Sequence, residues 1–337
     1  MARVRWGVLG VAKIGVTKVI PAMRECAWAE VTAIASRDGE RARVAGEMLG
    51  IPRTYGSYEE LLTDPEVDAV YIPLPNHLHV PWTIRAAEAG KHVLCEKPIA
   101  LSAAEARRLI EVRDRTGVRI QEAFMVRTHP QWITARRLAR DGSIGELRAM
   151  VGHFSYFNTD PQNIRNVQDY GGGGLMDIGC YLINTSRFVF DREPARVCGA
   201  IDRDPVFGVD RMASMLLDYG AGHLAGTCST QLVSYQRMQI LGTRSRIEIQ
   251  IPFNAPPDRP CRLLLDNGTD VFGSGADAIE FPTCNQYTIQ ADLFSRAILG
   301  GRPAPVPLED AVRNMACIEA VFRSAETGRW ESPDGVS

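Results

Sequence analysis

Three side chains in this sequence could together take a proton from an oxygen while a hydride leaves the carbon beside it. Lys97 lies in Glu96-Lys97-Pro98. Asp177 and Tyr181 lie in Leu175-Met176-Asp177-Ile178-Gly179-Cys180-Tyr181. A spacing of four puts Asp177 and Tyr181 on one face of a helix. Oxidising an alcohol requires both transfers, and a tyrosine with an ordinary pKa near 10 is a weak base at neutral pH. A neighbouring ammonium lowers that pKa and makes the phenol a usable acid–base. Lysine is also scarce here: only Lys13, Lys18, Lys91 and Lys97 among 38 basic residues. Arginine does not readily release a proton and lysine can, so each retained lysine raises a question about chemistry. The expected catalytic group is Lys97, Tyr181 and Asp177. The plainer alternatives are a surface Glu96–Lys97 ion pair and a buried helix aromatic at position 181.

Two glycine-rich turns flank this chemistry. Gly10-Val11-Ala12-Lys13-Ile14-Gly15 follows a strand-like run and opens a helix, a G-x-G-x-x-G pattern with Ala12 at the second glycine. The first glycine allows the tight turn, the second position lets backbone approach a pyrophosphate, and the helix start offers amides to it. Gly10, Ala12, Lys13 and Ile14 are therefore expected at a dinucleotide. The second strand ends Ser36-Arg37 where an acid would bind a ribose 2′-hydroxyl. A hydroxyl and a guanidinium suit a 2′-phosphate, so the expected cofactor is NADP, with NAD left as an alternative and a solvated loop arginine as the plain reading of Arg37. The second turn, Gly171-Gly172-Gly173-Gly174, lacks the Lys-Ser/Thr of a nucleotide P-loop. It is expected to allow close approach of backbone to a ligand.

The elements that must position these residues follow an alternating rhythm. Strand-like runs at 5–9, 31–35, 69–72, 92–95 and 119–123 alternate with helical runs at 13–25, 39–49, 58–62, 78–89 and 102–116. That is the pattern of a parallel, doubly wound sheet. Helices follow at about 130–140 and 175–190. From 195 to 275 strands and turns dominate, as in a largely antiparallel sheet, and 286–299 and 308–327 are helical. The predicted fold is α/β: an N-terminal Rossmann domain over 1–125 and a C-terminal α+β domain over 126–307. The helix at about 308–328 is expected to pack back on the first domain.

Composition narrows the class. The chain has 337 residues, 45% hydrophobic and 23% charged, with a net charge of −2. The charge balance argues against nucleic-acid binding. No apolar run approaches the roughly 20 residues of a membrane span, and the first residues lack a signal peptide's apolar core, so a cytoplasmic location is expected. The eight cysteines form no C-x-x-C pair and no zinc spacing, so neither disulfides nor a metal are expected. Apolar residues on both alternations of strands such as Met215-Leu216-Leu217 predict a homodimer, or a tetramer built from dimers, through the C-terminal sheet.

The Gly10 turn, Leu74-Pro75-Asn76-His77, Glu96-Lys97-Pro98 and Gly172 through Tyr181 together resemble the glucose-fructose oxidoreductase/inositol dehydrogenase (Gfo/Idh/MocA) family over nearly the whole chain. The resemblance implies a Rossmann domain, an open and mostly antiparallel second sheet, Lys97 and Tyr181 at the catalytic centre, and Asp177 near the substrate. It implies that Leu74, Pro75, Asn76, His77, Glu96 and Arg127 lie at the cofactor, and Asn163, Arg165 and Tyr287 at the substrate. Tyrosine at 181 resembles the branch with glucose-fructose oxidoreductase, dimeric dihydrodiol dehydrogenase and aldose 1-dehydrogenases. The expected function is hydride transfer between NAD(P) and a sugar, with oxidation of an aldopyranose at C1 to a lactone preferred. Keto-sugar reduction, sugar–sugar oxidoreduction, trans-dihydrodiol oxidation and a non-catalytic NAD(P)-sensing regulator are the alternatives.

Overall fold

The computed structural model describes residues 2–333. Its contacts divide the described residues into two compact units, one within 2–125 and 285–312, the other within 126–284 and 313–333.

The first unit is built on a six-stranded parallel sheet of β1 (Val4–Leu9), β2 (Ala29–Ala35), β3 (Arg53–Tyr55), β4 (Ala69–Ile72), β5 (His92–Cys95) and β6 (Ile120–Glu122). The strand order is 3-2-1-4-5-6, with every neighbouring pair parallel. This is the Rossmann arrangement, and it leaves the C-terminal strand ends as the place for a ligand. β3 is the strand that periodicity misses: Arg53-Thr54-Tyr55 has neither an apolar run nor alternation to mark it. Helices α1 (Ile20–Arg24), α2 (Gly39–Leu49), α3 (Tyr58–Thr63), α4 (His79–Glu88) and α5 (Ala103–Thr116) connect the strands. Ser57 and Ser102 cap α3 and α5 through their hydroxyls, which satisfies amides that a helix start leaves unpaired.

The second unit opens with α6 (Pro130–Arg140) and contains an eight-stranded sheet. Its strands are β7 (Leu147–Phe157), β8 (Arg196–Arg203), β9 (Asp210–Asp218), β10 (His223–Ser229), β11 (Gln231–Gly242), β12 (Arg246–Ile249), β13 (Cys261–Asp266) and β14 (Ala276–Phe281). The order is 14-13-12-11-7-10-9-8, antiparallel except for the parallel β7–β10 pair. A helical run over 175–190 opens with a wide π-type turn, Leu175–Gly179, and continues as α7 (Cys180–Phe190). On β7, β9 and β11, Val151, Leu216, Leu232, Val233 and Tyr235 are exposed.

The last helices divide differently from the 126–307 and 308–328 boundaries expected above. α8 (Gln286–Leu299) belongs to the Rossmann unit. Phe294 and Ala291 enter the core with Trp6, Val8 and Ile34, and the Trp6 indole N–H donates to Ser295 Oγ at 3.1 Å. α9 (Leu308–Thr327) is shared. Glu309 pairs with Arg113 of α5, whereas Ser324 Oγ accepts the Gly199 N–H of β8 at 3.0 Å. Gly199 has no room for a side chain, because a Cβ there would lie 2.6 Å from the Val321 carbonyl oxygen.

Candidate active site

In the Rossmann unit the expected cofactor residues gather at the C-terminal strand ends. Gly10 leaves β1 at φ +115°, a conformation that favours glycine. A Cβ there would also lie 2.9 Å from Leu74 Cδ2 and 3.8 Å from the Tyr58 hydroxyl. Ala12 and Ile14 are partly buried and Lys13 is exposed. Ser36 is buried and accepts the Asp38 N–H on Oγ. Arg37 is exposed, and its charge acts on the Tyr58 phenol, whose pKa burial raises and Arg37 pulls back down. Asp38 caps α2, accepting the amides of Glu40 and Arg41. The acid that follows Arg37 is thus committed to a helix start. Burial lowers the His77 pKa, and the nearby Arg37 charge lowers it further.

The Glu96-Lys97-Pro98 turn is held by residues that sequence reasoning missed. Glu96 accepts the hydroxyl of the fully buried Tyr71 at 2.7 Å and the Lys97 amide at 3.3 Å. Glu122, also buried, accepts the Ile99 amide at 2.8 Å. The His79 ring lies between two carbonyls, Pro98 O on Nδ1 and Leu74 O on Nε2, both at 2.7 Å. Burial pushes its pKa down to about 4, against the pull of the two carbonyls. His79 thereby ties the Leu74–His77 loop to the Lys97 turn. Tyr287, expected at the substrate, stands on α8 in this unit. Burial and the Glu96 charge raise its pKa, which places its phenol in the field of the same turn.

Lys91 resolves part of the lysine puzzle differently. It is buried, and its ammonium donates to the carbonyls of Asp64 and Val67 at 2.7 and 2.8 Å. A rare lysine is therefore not by itself a catalytic one.

In the second unit Asp177 is the hub. Its Oδ2 accepts the Tyr156 hydroxyl at 2.6 Å and Arg165 Nε at 2.8 Å. Burial raises the Tyr156 pKa, with the Asp177 charge adding to it. Tyr156 comes from β7, Arg165 from the following loop and Asp177 from the helical run, so three elements converge on one carboxylate. Tyr181, one turn along, is 5% exposed. Its ring meets Phe154 edge-on at 5.9 Å and Phe253 at 5.4 Å, and Phe154 and Phe253 stack at 4.8 Å. Such pairs hold a ring beyond what area burial does. Asn163 accepts the Arg165 amide at 3.1 Å and so caps the short turn that presents Arg165. Arg127 donates to Asn184 Oδ1 at 3.3 Å and lies over the Phe188 ring at 4.4 Å.

The glycine run has a structural task that its sequence does not show. A Cβ on Gly172 would lie 2.5 Å from the Arg165 carbonyl oxygen, and one on Gly173 would lie 1.9 Å from Asp210 Oδ1. The close approach at these two positions is to the chain's own atoms. Among the described residues no group of three His, Cys, Asp or Glu could hold a metal ion, and no helix is long and apolar enough to cross a membrane.

Residues 4–124 match the family described as "Oxidoreductase family, NAD-binding Rossmann fold", and residues 132–248 match the "GFO/IDH/MocA C-terminal domain". The chain belongs to the Gfo/Idh/MocA oxidoreductase family. It is 51% identical over 333 residues to the uncharacterized oxidoreductase ORF334 of Rhizobium meliloti, covering 98% of this chain and 100% of that one. It is 38% identical over 327 residues to D-xylose 1-dehydrogenase (NADP(+)) 2 of Haloferax volcanii, covering 96% and 98%. Among solved structures, KijD10, a 3-ketoreductase from Actinomadura kijaniata in complex with NADP and TDP-benzene, superposes with a TM-score of 0.89. The two are 29% identical, over 96% of this chain and 98% of that one. This oxidoreductase therefore has the two-part fold that its sequence pattern implied.

Proposed function

We propose that this oxidoreductase is an NADP-dependent sugar dehydrogenase of the cytoplasm that oxidises an aldopyranose at C1 to the lactone. The observation that carries this reading is the Asp177–Tyr156–Arg165 cluster one helical turn from Tyr181. A carboxylate flanked by a phenol and a guanidinium offers the acceptors and donors that a polyhydroxylated substrate needs. The likeness to a D-xylose 1-dehydrogenase supports the same choice.

The Rossmann unit fits NADP. Gly10 makes the tight turn out of β1 at φ +115°, Ser36 and Arg37 present a hydroxyl and a guanidinium at the end of β2, and the adjacent acid is engaged by α2. Bound NADP+ supplies the hydride acceptor. Arg37 pairs with the 2′-phosphate, and the Gly10–Ile14 turn, Leu74–His77 and Glu96 line the rest of the cofactor site, with Arg127 at its edge. Tyr181 takes the proton of the reacting hydroxyl, and the Lys97 ammonium holds the reacting oxygen. Asp177, Asn163, Arg165 and Tyr287 orient the remaining hydroxyls. Reduction of a keto-sugar is the second reading, supported by the likeness to KijD10. The exposed apolar face of the second sheet supports a homodimer, or a pair of dimers, formed face to face.

The test is a panel of aldopyranoses, keto-sugars and trans-dihydrodiols offered with NADP+ or NADPH, followed at the nicotinamide absorbance. Aldopyranose-dependent NADPH formation is expected. Turnover of keto-sugars alone transfers the assignment to the second reading, and no turnover with bound cofactor makes the chain a sensor.

A further inference from the structure

The helical run that carries Asp177 and Tyr181 starts without a cap of its own. Its N-cap is Gly174, which has no side chain to accept the first amides, and a helix start leaves such N–H groups unpaired. The acceptor comes from a strand 35 residues further along the chain. Asp210, at the start of β9, accepts the Leu175 N–H on Oδ2 at 2.6 Å. It is 2% exposed. The backbone closes on it so tightly that Gly173 can carry no side chain, its φ of +107° and the 1.9 Å Cβ distance both excluding one. Arg203, its register partner on β8, and Cys228 of β10 are the charged and titratable groups that face it from the neighbouring strands.

Burying a carboxylate is expensive, and a neutral Asn or Ser could accept an amide at lower cost. What the carboxylate adds is a negative charge on the positive end of the helix, at the amide of Leu175. We propose that Asp210 is a positioning residue for the reaction: it fixes the start of the Asp177–Tyr181 helix and thereby sets where those two side chains stand. The proposal rests on the reading of Tyr181 as the proton carrier. Sequence inspection gives no hint of this role, because the partner of Asp210 is distant and the glycine run looks like a ligand-binding turn.

The charge has two opposite consequences. Burial raises the Asp210 pKa to about 7, against the pull of the Leu175 amide and Arg203. The folded state therefore keeps a proton that the unfolded chain releases, and this group's contribution to stability falls as pH rises from the ordinary carboxylate range through about 7. Ionisation over the same range strengthens the acceptor for the Leu175 amide and sets a negative charge at the helix start, so the order of that start rises. A residue that merely supported the fold would move global stability and local order together.

Two measurements decide the matter. In the first, amide hydrogen exchange of the 173–181 segment is followed in the unmodified chain on both sides of pH 7 and in Asp210→Asn. Protection of this segment, corrected for intrinsic exchange, should rise with pH in the unmodified chain. It should fall in Asp210→Asn while α5 is unaffected. Protection that ignores both pH and the substitution overturns the proposal, and the pH arm stands even if Asp210→Asn does not fold. The second is a double-mutant cycle with D-xylose and NADP+ as probes. Asp210→Asn should lower kcat about tenfold with Tyr181 present and have little effect in Tyr181→Phe, with NADP+ affinity unchanged in both. An equal loss in both backgrounds overturns the proposal. If Tyr181→Phe alone leaves kcat unchanged, the proton-carrier reading fails, and the exchange experiment still decides whether Asp210 sets the helix start.

Discussion

Both units place glycine ahead of a helix, and the two turns do different things. Gly10 sits at φ +115°, and the atom nearest to where a Cβ would stand is the tip of a leucine, Leu74 Cδ2. That tip is the flexible end of a side chain and can shift. Gly173 sits at φ +107°, and the space a Cβ would take belongs to the buried carboxylate of Asp210. That turn is closed by the protein itself. The bracing differs in the same way. The Lys97 turn is held mainly by contacts to backbone atoms, through His79 and Glu122. Asp177 is held by side chains from β7 and the loop after it. A glycine-rich turn before a helix thus signals a tight approach, and the partner in that approach has to be read from the structure.

Substitutions at the two glycines give the largest separation between the turns. Gly173→Ala combines left-handed strain of about 1–2 kcal/mol with a clash against a buried carboxylate, whose overpacking costs about 1–3 kcal/mol more. Gly10→Ala has similar strain but needs only a leucine tip to move. Thermal denaturation should show Gly173→Ala as the more destabilised, and cofactor titration should show Gly10→Ala as the weaker binder. Equal melting temperatures would remove the distinction. A smaller effect is expected from Arg37→Asp, which replaces a charge-assisted contact worth about 1.5–3 kcal/mol. Its NADP+ over NAD+ preference should drop by about tenfold or more, as measured by the ratio of kcat/KM values. An unchanged ratio would detach Arg37 from the 2′-phosphate. The smallest effect concerns the exposed face of the second sheet. Val233→Glu with Tyr235→Glu should convert a dimer to monomer by light scattering, with little change in the fold. A wild-type monomer at micromolar concentration would contradict the assembly.

Much of the fold could be read from the sequence because its signals are local. The strands β1, β2, β4 and β5 of the Rossmann sheet announce themselves as short, largely apolar runs between helical stretches, and β6 by its place after the fifth helix. The run at 175–190 shows its helical spacing directly. β3 is half-exposed and too short to carry a period, and β14, with its exposed pattern at Ala276–Phe281, lacks the apolar alternation that marks a strand. The site divides along the same line. Lys97, Asp177 and Tyr181 stand out by type and spacing. His79, Glu122 and Asp210 do not, since their partners Pro98, Ile99 and Leu175 lie 19 or more residues away. Lysine scarcity marked Lys91 as strongly as Lys97, yet the Lys91 ammonium is spent on two carbonyls.

The central claim is that Tyr181 carries the proton while Lys97 holds the reacting oxygen, and steady-state kinetics of Tyr181→Phe beside Lys97→Met and Lys97→Arg test it most directly. Loss of a positioned acid–base costs about 10²–10⁴-fold in rate. The account predicts a fall in kcat of that order for Tyr181→Phe, with NADP+ affinity nearly intact and the alkaline-favoured limb of the kcat/KM profile gone. Lys97→Met should lose at least as much, and Lys97→Arg should not recover it, because a guanidinium has a different shape and stays protonated. A Tyr181→Phe enzyme that keeps that limb unchanged would give the proton to Lys97 and contradict the account.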